Sequence, residues 1–377
     1  MANFIDYCKY YGDKDFNEVP FNDVDALILA ELSYLNFSEV ISILPNTIEN
    51  VSKAYFSVVT NEKIKNKLNV YKYAHNLFGN VKNTLRFKDI LMTNYSRIVD
   101  TEKQFGAITF EYNDWIYISY EGTNEYMSGW REDFDLSNKF PVPSQTLAIG
   151  YLNKEAKKHK KIYVGGHSKG GNLAVAAAME AEDNVKKRIV TVYDFDGPGM
   201  REKEFLSKRY QQLIPKIKKF TPEISLVGML LYSTPNYFVV QSNMKGILQH
   251  HATSWQCFGS YFVPATQSES SIVFSEETKD FIKNNSEEDI REFVASIFEI
   301  LKKSNINNTE TVTLKKIVTC INLVRELPAT SKTKDKLFKL FNILLGLYMP
   351  NNLKKEKRSK EKGNIKKTKV TKGAYYE

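Results

Sequence analysis

The chain has 377 residues, of which 42% are hydrophobic, 26% charged and 13% aromatic. This composition supplies enough apolar material for a large packed interior, and it excludes a disordered linker or a fibrous protein. The formal net charge of +9 is concentrated near one end, because residues 354–372 carry ten lysine and arginine residues against two glutamates. The rest of the chain is nearly neutral, which argues against a nucleic-acid-binding surface spread over the body.

Cysteine usage and the N-terminal residues bear on the compartment. Cys8, Cys257 and Cys320 are widely spaced and form no C-x-x-C pair, so we expect neither a disulfide framework nor a thiolate zinc site. The first residues lack an uninterrupted apolar core after a basic start, which argues against a secretory signal. No stretch reaches the roughly 20 apolar residues that a membrane-spanning helix needs. We therefore expect a soluble, cytoplasmic protein.

The N-terminal third is predicted to be mainly helical. Apolar residues recur on one helical face between Val24 and Leu35, with Asn22 and Asp25 placed to form the cap of that helix. Residues 47–100 are rich in lysine and asparagine with scattered aromatics, and they also favour helix. From Phe105 to Tyr120 the pattern changes to alternation on either side of an Asn-Asp pair, which predicts a β-hairpin.

Downstream of the hairpin, short β-branched segments alternate with helix-forming ones. Strands are predicted at 162–164, 189–193 and 237–240, and helices at 172–179 and 201–213. Strands that alternate with helices indicate an α/β fold with a largely parallel sheet.

The C-terminal part is predicted to be a helical appendage. Ser286 and Asp289 form a capping box ahead of a helix at 290–301, and two more helices are predicted at 314–324 and 337–349. We expect a domain over 1–270, the appendage over 271–350 and a basic, disordered tail over 351–377. Leu337–Lys372 is either a packed helix with a solvated tail or a segment that docks on an anionic membrane surface, which would make the protein peripheral at the membrane.

One segment has the pattern of a serine nucleophile. Gly165–Gly171 reads GGHSKGG, a G-x-S-x-G between a predicted strand and an alanine-rich helix. A sharp strand-to-helix turn needs glycines on both sides of the serine, and it exposes the hydroxyl of Ser168. The N–H of Lys169 then lies at a helix N-terminus, where it can stabilise an oxyanion. The alternative is a glycine turn that serves only packing or a phosphate nest.

A serine nucleophile requires a general base, and the chain has five histidines. His250 and His251 follow the strand at 237–240, downstream of the serine, where triads of this chain order place the base. We predict His250, with His251 as the alternative. The others are disfavoured: His75 lies in a predicted helix before any sheet element, His159 lies in a lysine-rich segment, and His167 adjoins the serine, so that its side chain points away.

The orienting acid has two candidates. Asp196 follows the strand after the nucleophile, so its carboxylate is expected at the edge of the sheet where ligands bind. Glu223 occupies the next strand position and is the alternative. Asp194 is expected within the strand, and a merely structural Asp196 would cap the Gly-Pro-Gly turn.

Several motifs resemble known families. YEGT (120–123) followed by GWRED (129–133) resembles the F-R-G-T…D-W-x-x-D element of class 3 (fungal-type) lipases. A closer resemblance, over roughly residues 1–263, is to the Mbeg1-like family of bacterial proteins, a family of unknown function classed by similarity with the α/β-hydrolases. It is carried by five ordered segments: PFNDVDALILAELSYLNF (20–37), GGHSKGGNLA (165–174), YDFDGPG (193–199), SLVGMLL (225–231) and QHHATSW (249–255).

The resemblance implies an α/β-hydrolase fold with Ser168 as nucleophile and His250 as base. It also implies that Thr123 supplies a second oxyanion donor beside Lys169. Two positions depart from the lipase pattern. Glu121 stands where that pattern has arginine, so a negative group replaces a positive one, and Ser225 stands where the acid is expected, which favours Asp196 or Glu223.

Together these features predict a serine hydrolase that cleaves a carboxylic or lipid-like acyl ester through an acyl-enzyme intermediate, with no metal or organic cofactor. Tyr126, Trp130 and Trp255 are expected either to line an acyl-chain pocket or to belong to the core. The alternative is a non-catalytic, hydrolase-like scaffold that binds a partner or a membrane. A nucleic-acid partner is not expected, because the basic charge is confined to the tail.

Overall fold

An eight-stranded sheet organises the chain. The structure is a computed structural model that describes residues 2–100, 103–123, 135–156, 161–306, 311–328 and 333–348. The strands of the sheet are β1 Asn46–Thr47, β2 Leu91–Val99, β3 Gln104–Tyr112, β4 Trp115–Tyr120, β5 Lys161–His167, β6 Ile189–Phe195, β7 Ile217–Pro222 and β8 Tyr237–Val240. A separate hairpin pairs β9 Cys257–Phe258 with β10 Tyr261–Phe262.

The strands lie side by side in chain order, and the sheet changes character at β4. The pairs from β1 to β4 are antiparallel, and the pairs from β4 to β8 are parallel. The predicted hairpin is confirmed as β3 and β4, which turn at Asn113-Asp114. The predicted α/β architecture with a mostly parallel sheet is also confirmed.

Helices cover both faces of the sheet. The described part of the first 303 residues contains α1 Phe4–Tyr11, α2 Asp23–Leu32, α3 Ile48–Val58, α4 Asn61–Lys65, α5 Asn69–Val81, α6 Pro143–Glu155, α7 Lys169–Glu180, α8 Asp183–Lys186, α9 Glu202–Phe205, α10 Lys208–Leu213, α11 Glu269–Lys283 and α12 Glu287–Lys303. Two more helices follow, α13 Leu314–Glu326 and α14 Lys334–Tyr348.

Alternate residues of the strands enter two separate cores, as the two-residue period of a strand requires. In β4, Trp115 and Tyr117 pack with α1, α2, α3 and α5, whereas Ile116 and Ile118 pack with α6 and α7. The predicted capping boxes form as well: Asn22 with Asp25 begins α2, and Ser286 with Asp289 precedes α12.

The structure corrects several predicted elements. Residues 47–100 are not helical throughout, since β2 occupies Leu91–Val99. A register shift between Met92 and Asn94 interrupts the alternation by which a strand is recognised in sequence. The predicted helix at 201–213 is two short helices, α9 and α10, because Ser207 caps a new start.

The chain divides into two compact units, residues 1–294 and, apart from residues 308–310, the residues from Ala295 onward. In the second unit α13 contacts α14, and their buried side chains include Ile317, Val324, Leu337 and Phe341. The predicted boundaries at 270 and 350 stay a prediction. Across the described ranges, no helix is both long enough and apolar enough to cross a membrane. The predicted tail over 351–377 lies outside those ranges.

Candidate active site

Ser168 lies at the turn between β5 and α7, as the sequence predicts. Its backbone has φ 58° and ψ −132°, a conformation that costs a non-glycine residue about 1–3 kcal/mol and recurs at functional sites. A Cβ atom added to Gly170 would lie 2.1 Å from the carbonyl oxygen of Tyr120, and one added to Gly166 would lie 2.4 Å from the main chain of Gly170. The glycines therefore allow the turn to press against the end of β4, and Ser168 is left partly exposed.

His250 is the histidine that reaches the serine. Its Nε2 lies 3.0 Å from Ser168 Oγ, and 16% of its side chain is exposed. The short helical turn Gly246–His250 carries it. Gln249 anchors this turn through both of its oxygens. Its side-chain oxygen accepts the N–H of Ile224 at 2.7 Å, and its carbonyl accepts the indole N–H of Trp255 at 2.9 Å.

The buried carboxylate of Asp196 faces the other nitrogen of this imidazole. Asp196 Oδ2 lies 2.6 Å from His250 Nδ1, and Asp196 is fully buried. Its second oxygen, Oδ1, accepts the hydroxyl hydrogen of Ser225 at 2.5 Å. The main-chain N–H of Asp196 donates to Phe220 at 2.8 Å, which joins the acid to strand β7. Both carboxylate oxygens thus have fixed partners.

Ser225 occupies the position at which the lipase pattern expects the acid, and here its hydroxyl binds the acid that comes from β6. Ser271 of α11 accepts the main-chain N–H of Ser225 at 3.1 Å and so holds this residue in turn. A Cβ atom added to Gly228 would lie 2.1 Å from Asp196 Oδ1 and 2.9 Å from Ser225 Oγ. The segment SLVGMLL therefore contacts the acid directly through its serine and leaves room for it through its glycine.

A buried ion pair closes the turn beneath Asp196. Lys219 of β7 donates to Asp194 at 2.7 Å and to the carbonyl of Gly197 at 2.6 Å, while the N–H of Gly197 donates to Asp194 at 2.8 Å. Burial raises the pKa of the Asp194 carboxyl, and Lys219 opposes that rise. Sequence reasoning missed Lys219; its signal is a lysine pair between apolar residues in IKKF.

The alternative candidates lie elsewhere. The ring of His251 packs against Tyr73 at a centroid distance of 6.2 Å, and burial lowers its pKa to about 4. Glu223 contributes its main-chain carbonyl, which accepts the N–H of Ser268 at 2.8 Å. His75 contacts Tyr55 and Asn61, as a structural histidine on α5 does. His159 lies outside the described residues.

The predicted oxyanion donors lie on two neighbouring segments. Thr123 follows Gly122, and a Cβ atom added to Gly122 would lie 2.6 Å from the carbonyl oxygen of His167, so the loop touches the nucleophile strand. Gln104 donates to the carbonyl of Gly122 at 3.0 Å. The side chain of Lys169 in turn donates to the Gln104 carbonyl at 3.0 Å. The side chain of Lys169 therefore supports this loop through Gln104.

The negative charge of Glu121 is compensated. Arg97 of β2 lies 3.2 Å from the buried Glu121 carboxylate. Burial lowers the pKa of Arg97, but Glu121, Tyr95 and Tyr71 together outweigh burial and raise that pKa above its usual value. Where the lipase pattern has an arginine directly after β4, this chain has Glu121 and an arginine on β2. Arg97 could not be recognised from the sequence, because residues 47–100 were predicted to be helical.

Of the three aromatics expected at an acyl pocket, one lies within the described residues. Trp255 is fully buried, and it supports the turn that carries His250, so it belongs to the core and not to a pocket wall. Tyr126, Trp130 and the segment Gly129–Asp133 lie outside the described residues. Among the residues that the structure describes, no group of three or more His, Cys, Asp or Glu side chains could hold a metal ion.

A partly exposed serine, an imidazole and a buried carboxylate in hydrogen-bond contact can move a proton from the serine to the imidazole. The fold and this site define the class as an α/β-hydrolase fold with a serine, histidine and aspartate brought together at the ends of β5, β6 and the segment after β8.

Comparison with known proteins gives the family. The sequence model of the Mbeg1-like family matches residues 81–299, more than half of the chain and all three of these side chains, so the chain belongs to the Mbeg1-like family. No curated relative matches the chain in sequence.

Solved structures with a similar fold include lipases. The M37 lipase is 16% identical, with 55% of this chain and 70% of that chain covered and a TM-score of 0.34. The lipase from Rhizopus microsporus var. chinensis is 16% identical, with 48% of this chain and 70% of that chain covered and a TM-score of 0.30. The Lip2 lipase from Yarrowia lipolytica is 12% identical, with 48% and 72% covered and a TM-score of 0.30.

Proposed function

We propose that this protein is a serine hydrolase that cleaves carboxylic esters, including lipid-like acyl esters, through an acyl-enzyme intermediate. One observation carries the proposal: Ser168 Oγ, His250 and Asp196 form a continuous chain with contacts of 3.0 and 2.6 Å. The strained backbone at Ser168 and the second hydrogen bond on Asp196 support it.

In this proposal Ser168 Oγ attacks the acyl carbon while its proton passes to His250 Nε2. Asp196 accepts the hydrogen on Nδ1, so it keeps the imidazole in the tautomer that can accept a proton and stabilises the imidazolium. The N–H groups of Lys169 and Thr123 bind the oxyanion, each donor contributing about 3–4 kcal/mol. His250 then gives its proton to the departing alcohol.

The second half of the reaction uses the same groups. A water molecule loses its proton to His250 Nε2 as its oxygen attacks the acyl carbon of the ester formed on Ser168. The tetrahedral intermediate then collapses, the carboxylic acid leaves, and the proton returns to Ser168 Oγ. Every proton is returned, so the cycle consumes only the ester and water.

The experiment is hydrolysis of p-nitrophenyl esters with short, medium and long acyl chains by the full chain. We expect ester turnover in the wild type and a loss of roughly 10⁴-fold or more in Ser168→Ala and in His250→Ala. The Glu223→Gln variant is the matched control, because it alters the other acidic candidate without touching the three side chains. Turnover that is equal in wild type and Ser168→Ala would sink the proposal, and a folded wild type without turnover would favour the non-catalytic scaffold.

Peripheral membrane attachment through Leu337–Lys372 is a separate proposal that rests on sequence alone. Helix α14 ends at Tyr348, and the rest of the segment lies outside the described residues. Sedimentation with anionic and with neutral vesicles tests it. We expect binding to anionic vesicles that weakens with salt and disappears when residues 351–377 are deleted; equal binding by the shortened chain would contradict it.

A further inference from the structure

His167 precedes the nucleophile, and its ring lies against the ring of the base. The centroids of His167 and His250 are 4.7 Å apart, with an angle of 32° between the ring planes. The side chain of His167 is 4% exposed, so each of its nitrogens must find a partner inside the protein. Neither nitrogen contacts Ser168 Oγ in the described structure, which leaves this buried histidine outside the proposed proton transfer.

The first nitrogen of His167 holds the main chain of the base. His167 Nε2 lies 2.8 Å from the carbonyl oxygen of His250. A carbonyl oxygen only accepts hydrogen bonds, so Nε2 carries a hydrogen and donates it. The bond therefore fixes the peptide of the residue whose side chain reaches Ser168.

The second nitrogen faces a carboxylate. His167 Nδ1 lies 3.1 Å from Glu31 Oε1 of α2 and 3.1 Å from the hydroxyl of Tyr34. Among the described residues, Glu31 Oε1 accepts no hydrogen bond of good geometry, and the Glu31 side chain is 3% exposed. Two bare acceptors at this distance inside a protein would repel each other, and the single Tyr34 hydrogen can serve only one of them. A proton on Nδ1 removes the conflict.

The charges around His167 agree with a doubly protonated ring. Burial lowers the pKa of His167, but the carboxylates of Glu31 and Asp196 and the carbonyl of His250 together outweigh burial and raise that pKa above its usual value. The titratable and charged groups that face the ring come from three sides: Glu31 and Tyr34 from the α2 side, Asp196 from β6, and His250 and His251 from the segment after β8.

We propose that His167 is a positioning residue: as an imidazolium paired with Glu31, it donates to the carbonyl of His250 and so fixes the aim of the base at Ser168. The site then contains two carboxylate–imidazole pairs with their rings in contact, Glu31 with His167 and Asp196 with His250. The second pair moves the proton, and the first holds the second in place. The role rests on the proposed function, since it acts through His250.

Two substitutions at one position separate the hydrogen bond from the bulk of the ring. In His167→Gln an amide N–H can take the place of Nε2–H, whereas His167→Phe keeps a ring but has no donor. We expect the rate of labelling by a fluorophosphonate probe to fall about 10- to 100-fold in His167→Phe. His167→Gln should stay within about threefold of wild type. His75→Gln, the same change at a buried histidine away from the site, is the control and should label at the wild-type rate.

Nuclear magnetic resonance of histidine side chains measures the protonation of His167 directly and needs no catalytic turnover. It therefore distinguishes failure of this role from failure of the proposed function. In the full-length wild type at about pH 7 we expect His167 to carry hydrogens on both nitrogens. In Glu31→Gln it should carry one, on Nε2. The deshielded Nδ1–H proton of His250, in its 2.6 Å bond to Asp196, should shift in His167→Phe and return in His167→Gln.

Three results would overturn the inference. One is a neutral His167 in wild type at about pH 7. Another is wild-type labelling by a folded His167→Phe. The third is a His167→Gln variant as slow as His167→Phe at the same melting temperature, because then the donor does not matter. If His167→Phe does not fold, the protonation state in wild type and in Glu31→Gln still decides the question.

Discussion

Replacing Asp196 by asparagine tests the acid of the site, and the structure predicts which way the new amide turns. Ser225 donates to Asp196 Oδ1 at 2.5 Å, and His250 Nδ1 lies 2.6 Å from Oδ2. In Asp196→Asn, Ser225 keeps its donated bond when the amide oxygen takes the Oδ1 position. The amide NH₂ then faces Nδ1, which must accept. Nε2 therefore carries the hydrogen, and the imidazole presents that hydrogen to Ser168 instead of a lone pair.

The loss of activity expected in Asp196→Asn follows from this unproductive tautomer of His250. An asparagine at the acid position of a serine triad lowers turnover roughly 10⁴-fold, which corresponds to about 5 kcal/mol of transition-state stabilisation. We expect the second-order rate constant for fluorophosphonate labelling of Asp196→Asn to be roughly 10³- to 10⁴-fold lower than that of wild type. Adding Ser225→Ala frees the amide to rotate, and one neutral hydrogen bond of about 1 kcal/mol no longer holds the unfavourable orientation. The double variant should recover part of the rate.

The assay compares labelling rates of wild type, Asp196→Asn, the double variant and Glu223→Gln, with melting temperatures as the control for folding. Glu223→Gln should label at the wild-type rate. An Asp196→Asn rate within about threefold of wild type would refute the reasoning, and so would an equal loss in Glu223→Gln.

Three further predictions concern stability and packing. Arg97→Met removes the positive charge that faces the buried Glu121 carboxylate, so it should lower the free energy of unfolding, measured in urea, by about 3–5 kcal/mol. A second change, Glu121→Gln, should restore most of that loss, and no loss in Arg97→Met would contradict the pairing. Gly228→Ala places a Cβ atom 2.1 Å from Asp196 Oδ1 and should lower both the labelling rate and the melting temperature, whereas Gly150→Ala, with nothing within 4 Å, should keep the rate. Because Gly150 lies inside α6, Gly150→Ala should raise the free energy of unfolding by about 0.5–1 kcal/mol. Equal changes in labelling rate and melting temperature in the two variants would refute the packing argument. His251 has a pKa lowered from 6.5 to about 4, so the unfolded chain binds a proton there that the folded chain does not, and stability falls as the pH falls through this window. On acidification the free energy of unfolding of wild type should fall by up to about 3 kcal/mol more than that of His251→Asn. Parallel curves of unfolding free energy against pH would contradict the burial of a neutral His251.

Local sequence patterns and the order of elements along the chain predicted much of this site. The strand, glycines and helix around Ser168 form a local signature, because the turn itself requires them. Positions after later strands indicated His250 or His251 as the base and Asp196 or Glu223 as the acid, since parallel strands bring those ends to one edge. These predictions need only the order of elements along the chain.

Partners that are distant in sequence could not be predicted in this way. Arg97 pairs with Glu121 across two strands, and the register shift in β2 hid the strand that carries it. Lys219 reaches Asp194 only through the parallel pairing of β6 with β7. Glu31 meets His167 because α2 packs on β5, a contact between residues that lie far apart in the chain. Each depends on tertiary packing, which one sequence does not display.

The central claim is that Ser168 is an activated nucleophile, and covalent labelling tests it most directly. Purified wild type, Ser168→Ala and His250→Ala would react with a fluorophosphonate probe, followed by intact mass and peptide mapping. We predict one adduct per chain on the peptide that contains Ser168, none in Ser168→Ala, and a rate lower by roughly 10³-fold or more in His250→Ala. A folded wild type that does not react, or an adduct that persists in Ser168→Ala, would contradict the account.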